Sequence, residues 1–297
     1  MGVEYDEIGI WSEVKLAIIK EYASAYARIM DAQRRERIRS LRCIYIDAYA
    51  GPGYHLSKAS GELVEGSPLI ALNTKPPFHE YHFIDTDSLR AEHLRKLAGE
   101  RADVFTYSED CNKVLLREVF PRAKYEDYRR ALCLLDPYNI NLTWQVIEAA
   151  GKASSIEIFM NLMIMDINRN AMRRNPDKSI QSKMDQLTRL WGDESWKGAG
   201  YATDRNLFDE PEKVSNEEFA EAFRLRLEEK AGFQVRTDSH ANEDEEQLDD
   251  LLLVFCFPKT GCGEYSDRYL WQVPQEARVL RWRRIRILSG RTQHGTR

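Results

Sequence analysis

Four apolar stretches of the chain run into an aspartate, and that repetition restricts the fold more than any single motif. "RCIYID" ends at Asp47, "YHFID" at Asp85 and "DVFTYSED" at Asp110, while "ALCLLDPYN" carries Asp136 at its far end. A fifth apolar stretch, "SIEIFMNLM", covers 155–163. The segments between them have helical character: "GSPLIALN" with Pro68 near a first turn, residues 87–98, "CNKVLLREVF" and "LTWQVIEAAGKA". Strands alternating with helices predict a parallel, doubly wound α/β sheet, and near-continuous apolar runs suit strands covered on both faces. Ligands of such sheets sit beyond the carboxyl ends of the strands, where the strand order reverses. Acids at the first four strand ends therefore predict a site rather than a set of turns.

The flanking segments read differently. Val14, Leu16, Ile18, Ile19, Tyr22, Tyr26, Ile29 and Met30 recur at helical steps and predict one long helix over 11–40, with Ser12 as its cap. Residues 1–41 are thus an N-terminal helical extension to a sheet domain over 42–233. Residues 164–215 are polar and irregular, an insertion or lid containing "DINRN". A helix over 216–231, capped by Asn216 with Glu218 nearby, closes the domain.

Bulk properties narrow the function. At 297 residues and 43% hydrophobic content the chain can bury a large core. No apolar run approaches the roughly 20 residues that span a bilayer, and the N-terminus lacks a secretory pattern. Five widely spaced cysteines, 43, 111, 133, 256 and 262, contain no CxxC pair. Neither a zinc site nor a disulfide framework is expected, and a reduced, cytoplasmic protein is. His55, His79, His82 and His93 also lack metal-ligand spacing. Residues 278–297 hold seven arginines and no acid, which leaves the remaining residues at −12, with 36 basic against 48 acidic. Net charge therefore does not support a nucleic-acid partner, although a local basic groove is compatible with it.

The loop "DAYAGPG" lets backbone amides approach a ligand at Gly51 and Gly53. It is not a GxGxxG dinucleotide fingerprint, and it lacks the GK[ST] of a triphosphate loop, which disfavours an ATPase. The carboxylate of Asp47 suits a ligand presenting an ammonium group. S-adenosylmethionine is such a ligand. Asp85 or Asp87 would accept from its ribose hydroxyls and Asp110, in "EDCN", from its adenine amine, with Tyr49 and Cys111 in the same two stretches.

Taken together, "WSEVKLAIIKEYASAYARIMDAQ", "YIDAYAGPG", "GSPLIAL", "HFIDTD", "LLDPYN" and "MDINRNAM" resemble the three-Cys-motif partner protein (TcmP) family, and more broadly the class I S-adenosylmethionine-dependent methyltransferases. The resemblance covers residues 11 to about 233. It implies a Rossmann-like methyltransferase sheet, S-adenosylmethionine as cofactor, and a partner bearing a three-cysteine motif. "LDPYN" is similar to the (D/N/S)PP(Y/F) loop of amino-group methyltransferases, with one proline where that loop has two. The resemblance gives Asp136, Pro137 and Tyr138 the catalytic role on a planar amine. The competing expectation is a non-catalytic interaction module that keeps the fold.

The C-terminus breaks the pattern. Residues 238–250 hold seven acids and no Lys or Arg, and an arginine-rich tail ends the chain. A methyltransferase-type sheet needs two further strands, one antiparallel, and only "LLLVFCF" offers itself. Permissible codons for Leu251–Pro274, read one base on, encode a strand and an amphipathic helix. Residues 234–297 are accordingly read as an atypical C-terminus from a shifted frame near residue 235, with edge strands missing from the sheet.

Overall fold

The computed structural model describes residues 5–137, 139–173, 179–202, 212–239 and 252–258. Its strands are β1 (Glu7–Ile8), β2 (Arg42–Asp47), β3 (Tyr54–Ser57), β4 (Leu63–Glu65), β5 (Glu80–Ile84), β6 (Val104–Tyr107), β7 (Arg129–Leu135), β8 (Ile156–Leu162), β9 (Tyr201–Ala202), β10 (Glu212–Lys213), β11 (Phe233–Ser239) and β12 (Leu252–Pro258). Its helices are α1 (Ile10–Glu36), α2 (Ser67–Asn73), α3 (Ser88–Ala98), α4 (Cys111–Val114), α5 (Trp144–Ala153), α6 (Ile164–Asp166), α7 (Gln181–Trp191), α8 (Trp196–Gly200) and α9 (Asn216–Glu229). Residues 115–122 continue α4 as π and 3₁₀ turns.

Seven strands form one sheet in the order β6–β5–β2–β7–β8–β12–β11. Pairs from β6 through β8 are parallel, whereas β12 runs antiparallel to both of its neighbours. The chain builds outward from β2 to β6 and then returns to place β7 on the other side of β2. The switch point therefore lies between β2 and β7. This is the doubly wound, methyltransferase-like arrangement that the strand–helix alternation predicts.

The edge of the sheet differs from expectation. Phe233–Ser239 and Leu252–Pro258 supply the last two strands, and Phe233, Val235, Leu253, Val254 and Cys256 are buried. The sheet is complete through residue 258, so a boundary at 233/234 falls inside a strand. "GFQVRTDS" was hidden because its apolar–polar alternation spans only a few residues before the acidic run begins. Residues 259–297, including Cys262 and the arginine-rich tail, lie outside the described residues.

The 164–215 region is also more than a lid. Its helices α6–α8 place Leu187, Leu190, Trp191 and Trp196 in the core. Caps shift by a few residues. Gly9, not Ser12, precedes α1, and Ser215, not Asn216, caps α9 in a capping box with Glu218.

Side-chain alternation along the strands sorts the core into two layers. Ile44, Ile46, Ile84, Cys133, Leu135, Ile158 and Met160 pack toward α5, α7 and α9. Cys43, Tyr45, Tyr81, Phe83, Leu132, Leu134 and Phe159 pack with Leu16, Ile19, Ala23 and Tyr26 of α1. Extending the second set by two residues along each strand reaches Asp47, Asp85, Asp136 and Asn161. One face of the sheet, the one covered by α1, thus carries a row of polar groups at its carboxyl rim.

Candidate functional site

Asp47 sits at the end of β2 with 0% of its surface exposed. The Tyr49 amide donates to Oδ1 at 3.3 Å, while Oδ2 has no hydrogen-bond partner in normal geometry, although the Ser67 hydroxyl lies close enough to favour the ionised form. Burial dominates and pushes the carboxyl up to about 7, with Asp136 and Asp85 adding like-charge repulsion. A buried carboxylate short of donors is costly unless something else supplies them.

Asp85, one strand over, is held on both oxygens by backbone. The Gly51 amide donates to Oδ2 at 3.0 Å and the Asp87 amide to Oδ1 at 2.8 Å. Its pKa is raised, chiefly by burial. The glycine loop is therefore tied directly to the neighbouring strand's acid. Gly51 adopts φ +65°, which favours glycine. At Gly53, with φ +87°, an added Cβ would press on Leu97 and Leu94 at 3.0 and 3.2 Å, so its lack of a side chain serves the packing of α3.

The other acids have structural partners. Asp87 caps α3, accepting from the amides of Leu89 and Arg90, and Asp110 caps α4, accepting from the Lys113 amide. Tyr49 is half-buried beside Cys111, and burial raises the pKa of both, the thiol to about 11. The Tyr49 hydroxyl meets no hydrogen-bond partner of normal geometry. The structure thus brings Asp47, Tyr49, Gly51 and Asp85 together around the switch point and uses Asp87 and Asp110 at helix starts.

Asp136 follows β7 on the opposite side of the switch. Its Oδ2 pairs with Lys15 Nζ at 2.5 Å, and its Oδ1 accepts from Asn161 Nδ2 at 3.0 Å. Neither Lys15 nor Asn161 was anticipated from the sequence. Pro137 and Asn161 line a small recess with Ile140, Leu142, Met163 and Ile167. Tyr138 lies outside the described residues.

Lys15 reaches the site because the start of α1 is anchored there. β1 pairs in parallel with β3, the strand that follows the glycine loop. The Leu56 amide donates to the Asp6 carbonyl, the Lys58 amide to the Ile8 carbonyl, and Ser57 Oγ to Glu13 Oε1 at 2.7 Å. His55, also on β3, is half-buried with an unpartnered Nδ1, and burial lowers its pKa. The β3–β4 hairpin escaped the sequence reading because its strands are four and three residues long.

No family model matches the chain, and no curated protein matches its sequence. Solved structures with a similar fold include protein LPL1258 from Legionella pneumophila, described by the family model DUF519, which is 11% identical over 89% of this chain and 90% of that one at a TM-score of 0.46. The methyltransferase domain of bacterial CtHen1 is 9% identical over 81% and 99%, at 0.39. A chain of the complex between the Haloferax volcanii Trm112 methyltransferase activator and the putative methyltransferase is 11% identical over 83% and 99%, at 0.30. The methyltransferase-like character of the fold rests on the strand order above, and the three-Cys-motif resemblance on its quoted motifs. Among the described residues, no helix is long and apolar enough to cross a membrane.

Proposed function

We propose that this chain binds S-adenosylmethionine and is a methyltransferase acting on a planar, conjugated amine. The observation that carries the reading is the fully buried Asp47 at the end of β2, whose Oδ2 has no hydrogen-bond partner of normal geometry and which stands among carboxylates that repel it. A ligand bearing an ammonium and a sulfonium would relieve that repulsion and give the missing hydrogen bond. Asp85 keeps free lone pairs on both oxygens for ribose hydroxyls, since each accepts one backbone amide. Tyr49, whose amide donates to Asp47, offers a hydroxyl with no partner of normal geometry. The bound cofactor would supply the electrophilic methyl group. Asp136 would accept a hydrogen bond from the target amine's N–H and so orient its lone pair, with Pro137 and Tyr138 following it in the chain. By the resemblance, a three-Cys-motif protein is the partner.

A second reading, a non-catalytic interaction module, has one observation in its favour. Asp136 is already bridged by Lys15 and Asn161. Calorimetric titration separates the two. Methyltransferase function requires that S-adenosylmethionine and S-adenosylhomocysteine bind the intact chain and bind Asp47→Asn at least tenfold more weakly. No heat of binding with either ligand would leave the scaffold reading.

A further inference from the structure

The acids gather at the carboxyl rim of the sheet, and the opposite rim is basic. Residues 34–42 end α1 and turn into β2, and residues 122–130 turn into β7. Together they hold nine basic residues against three acidic ones, in a chain whose net charge is −5. The two segments are neighbours. The Arg42 amide donates to the Tyr128 carbonyl at 3.0 Å, and Arg42 and Cys43 pair in register with Arg129 and Arg130. Arg34 and Arg42 converge on His79, whose pKa is lowered first by burial and next by those two charges. Carboxylates answer only part of the charge: Asp31 pairs with Arg34 and Arg35, and Glu80 with Arg122 and Arg129. Arg37, Arg39, Arg42 and Lys124 are exposed and form no ion pair among the described residues. Like charges side by side repel, so the cluster suits an anion better than it suits the fold.

Two aromatic rings stand in the same turn, Tyr125 at 40% exposed and Tyr128 at 49%. The Arg130 guanidinium lies 3.7 Å from the Tyr125 ring centroid and donates to the Tyr125 and Arg129 carbonyls, which fixes ring and cation together. Tyr128 holds φ +54°, a left-handed conformation that a bulky side chain rarely adopts and that glycine or asparagine takes at lower cost. The turn thus keeps a tyrosine where the backbone alone favours a smaller residue. Rings interleaved with unpaired cations match single-stranded nucleic acid, whose phosphates take the donors and whose bases stack on the rings. A duplex hides its base faces, and an acidic peptide has none. The chain's own acidic run is poorly placed to fill the surface. It follows Ser239 and ends before Leu252, which pairs with both Ser239 and Leu162 at the carboxyl rim.

We infer that this amino rim is a docking surface for single-stranded nucleic acid, with Arg37, Arg39, Arg42 and Lys124 on its phosphates and Tyr125 and Tyr128 stacked on its bases. β2 and β7 span roughly 20 Å between this rim and the acids at their far ends. The surface therefore holds a polymer at a distance from the site around Asp47, and it stands whether or not that site takes S-adenosylmethionine.

The test follows the fluorescence anisotropy of a labelled oligouridylate of about twelve nucleotides, a length within the usual single-strand site size, on the full chain across a salt series. Arg37→Gln with Arg39→Gln, and separately Arg42→Gln with Lys124→Gln, should each weaken binding about fivefold or more and flatten its salt dependence. Tyr125→Ala and Tyr128→Asn should each weaken it about fivefold with the salt dependence unchanged. Asparagine suits the left-handed turn, so Tyr128→Asn should be no less stable than wild type to urea, and its loss of binding is then not a loss of fold. A duplex of the same length should bind about fivefold more weakly than the single strand. Absence of binding to wild type, or unchanged affinity in both cation pairs, overturns the proposal. So does a loss seen only when Arg281, Arg283, Arg284 and Arg286 are replaced by Gln, which assigns the contact to the end of the chain. Duplex binding as tight as the single strand overturns the single-strand assignment. A polyglutamate peptide that displaces the oligonucleotide fully, with both tyrosine variants unaffected, overturns nucleic acid in favour of an acidic protein segment. Oligonucleotide binding that follows this pattern in a protein that takes no S-adenosylhomocysteine supports the surface while the methyltransferase reading falls.

Discussion

Two acids in the same sheet, the half-buried Glu80 and the fully buried Asp47, have opposite surroundings. Glu80, at the start of β5, accepts from His82 Nε2 at 2.7 Å and from Arg122 and Arg129 at 3.1 Å each. The buried His82 ring stacks on Phe105 and its other nitrogen meets the Tyr107 hydroxyl. Hydrogen bonding by His82, aided by the two arginines, holds the Glu80 carboxyl down at about 2. Asp47, near the opposite rim, has one backbone donor of normal geometry and two acidic neighbours, and burial pushes it up to about 7. A carboxylate that ties strands together is supplied with donors by its own chain. One left short of donors at a switch point is what a ligand site looks like before its ligand arrives.

The contrast breaks if the two acids respond alike to removal. Glu80→Ala strips the partner from a buried imidazole and two guanidinium groups and should cost about 2–3 kcal/mol, the range for a lost charge-assisted network, read by urea denaturation. Asp47→Asn should do the reverse, stabilising the ligand-free protein at pH 8 by on the order of 1–2 kcal/mol because the ionisation penalty disappears. The same substitution should weaken S-adenosylhomocysteine binding, as set out above. Destabilisation by Asp47→Asn comparable to that of Glu80→Ala would make Asp47 a structural acid.

The acids should also separate by pH. Glu80 has a folded pKa below its unfolded 4.5, so its contribution is full above 4.5 and is lost as pH falls toward 2. Asp47 has a folded pKa above its unfolded 3.8, so the native state holds the extra proton and stability declines as pH rises from about 4 to about 7. The stabilising effect of Asp47→Asn should therefore shrink between pH 8 and pH 5. A ligand that requires the ionised carboxylate should bind roughly tenfold more weakly at pH 6 than at pH 8, with proton release on binding at pH 6. Equal affinity at both values, in buffers of different ionisation enthalpy, would detach Asp47 from the ligand.

The sheet was legible because its signals are local and long. β2, β5, β7 and β8 are apolar runs of five to seven residues with helices between them, and the strand-end acids stand out against that background. Lys15 and Asn161 were not legible, since each matters only through a tertiary contact. A signal existed for both: Lys15 interrupts the buried stripe of a 27-residue helix, and Asn161 is the polar residue that ends the Glu157–Phe159–Asn161 face of β8. Such a break in an apolar pattern has several explanations until the covering element is known. The edge strand β11 was missed for a different reason. The composition change near residue 235 suggested a broken frame, whereas the antiparallel ladder with β12 uses backbone pairing that residue type scarcely marks.

The smallest expected effects test whether Asp87 and Asp110 belong with Glu80 or with Asp47. Both accept from amides in the first turn of a helix, Asp87 from Leu89 and Arg90 and Asp110 from Lys113. Replacing a capping aspartate by alanine typically costs about 1 kcal/mol, and Asp87→Ala and Asp110→Ala should each lose about that much in chemical denaturation. Serine retains a capping oxygen with no charge, so Asp87→Ser and Asp110→Ser should recover most of the loss. If capping is their whole role, the serine variants bind S-adenosylhomocysteine within threefold of wild type. A tenfold loss confined to Asp110→Ser, with stability restored, would move that residue from the helix start into the adenine wall and make the ligand site one strand wider than the Asp47–Asp85 pair.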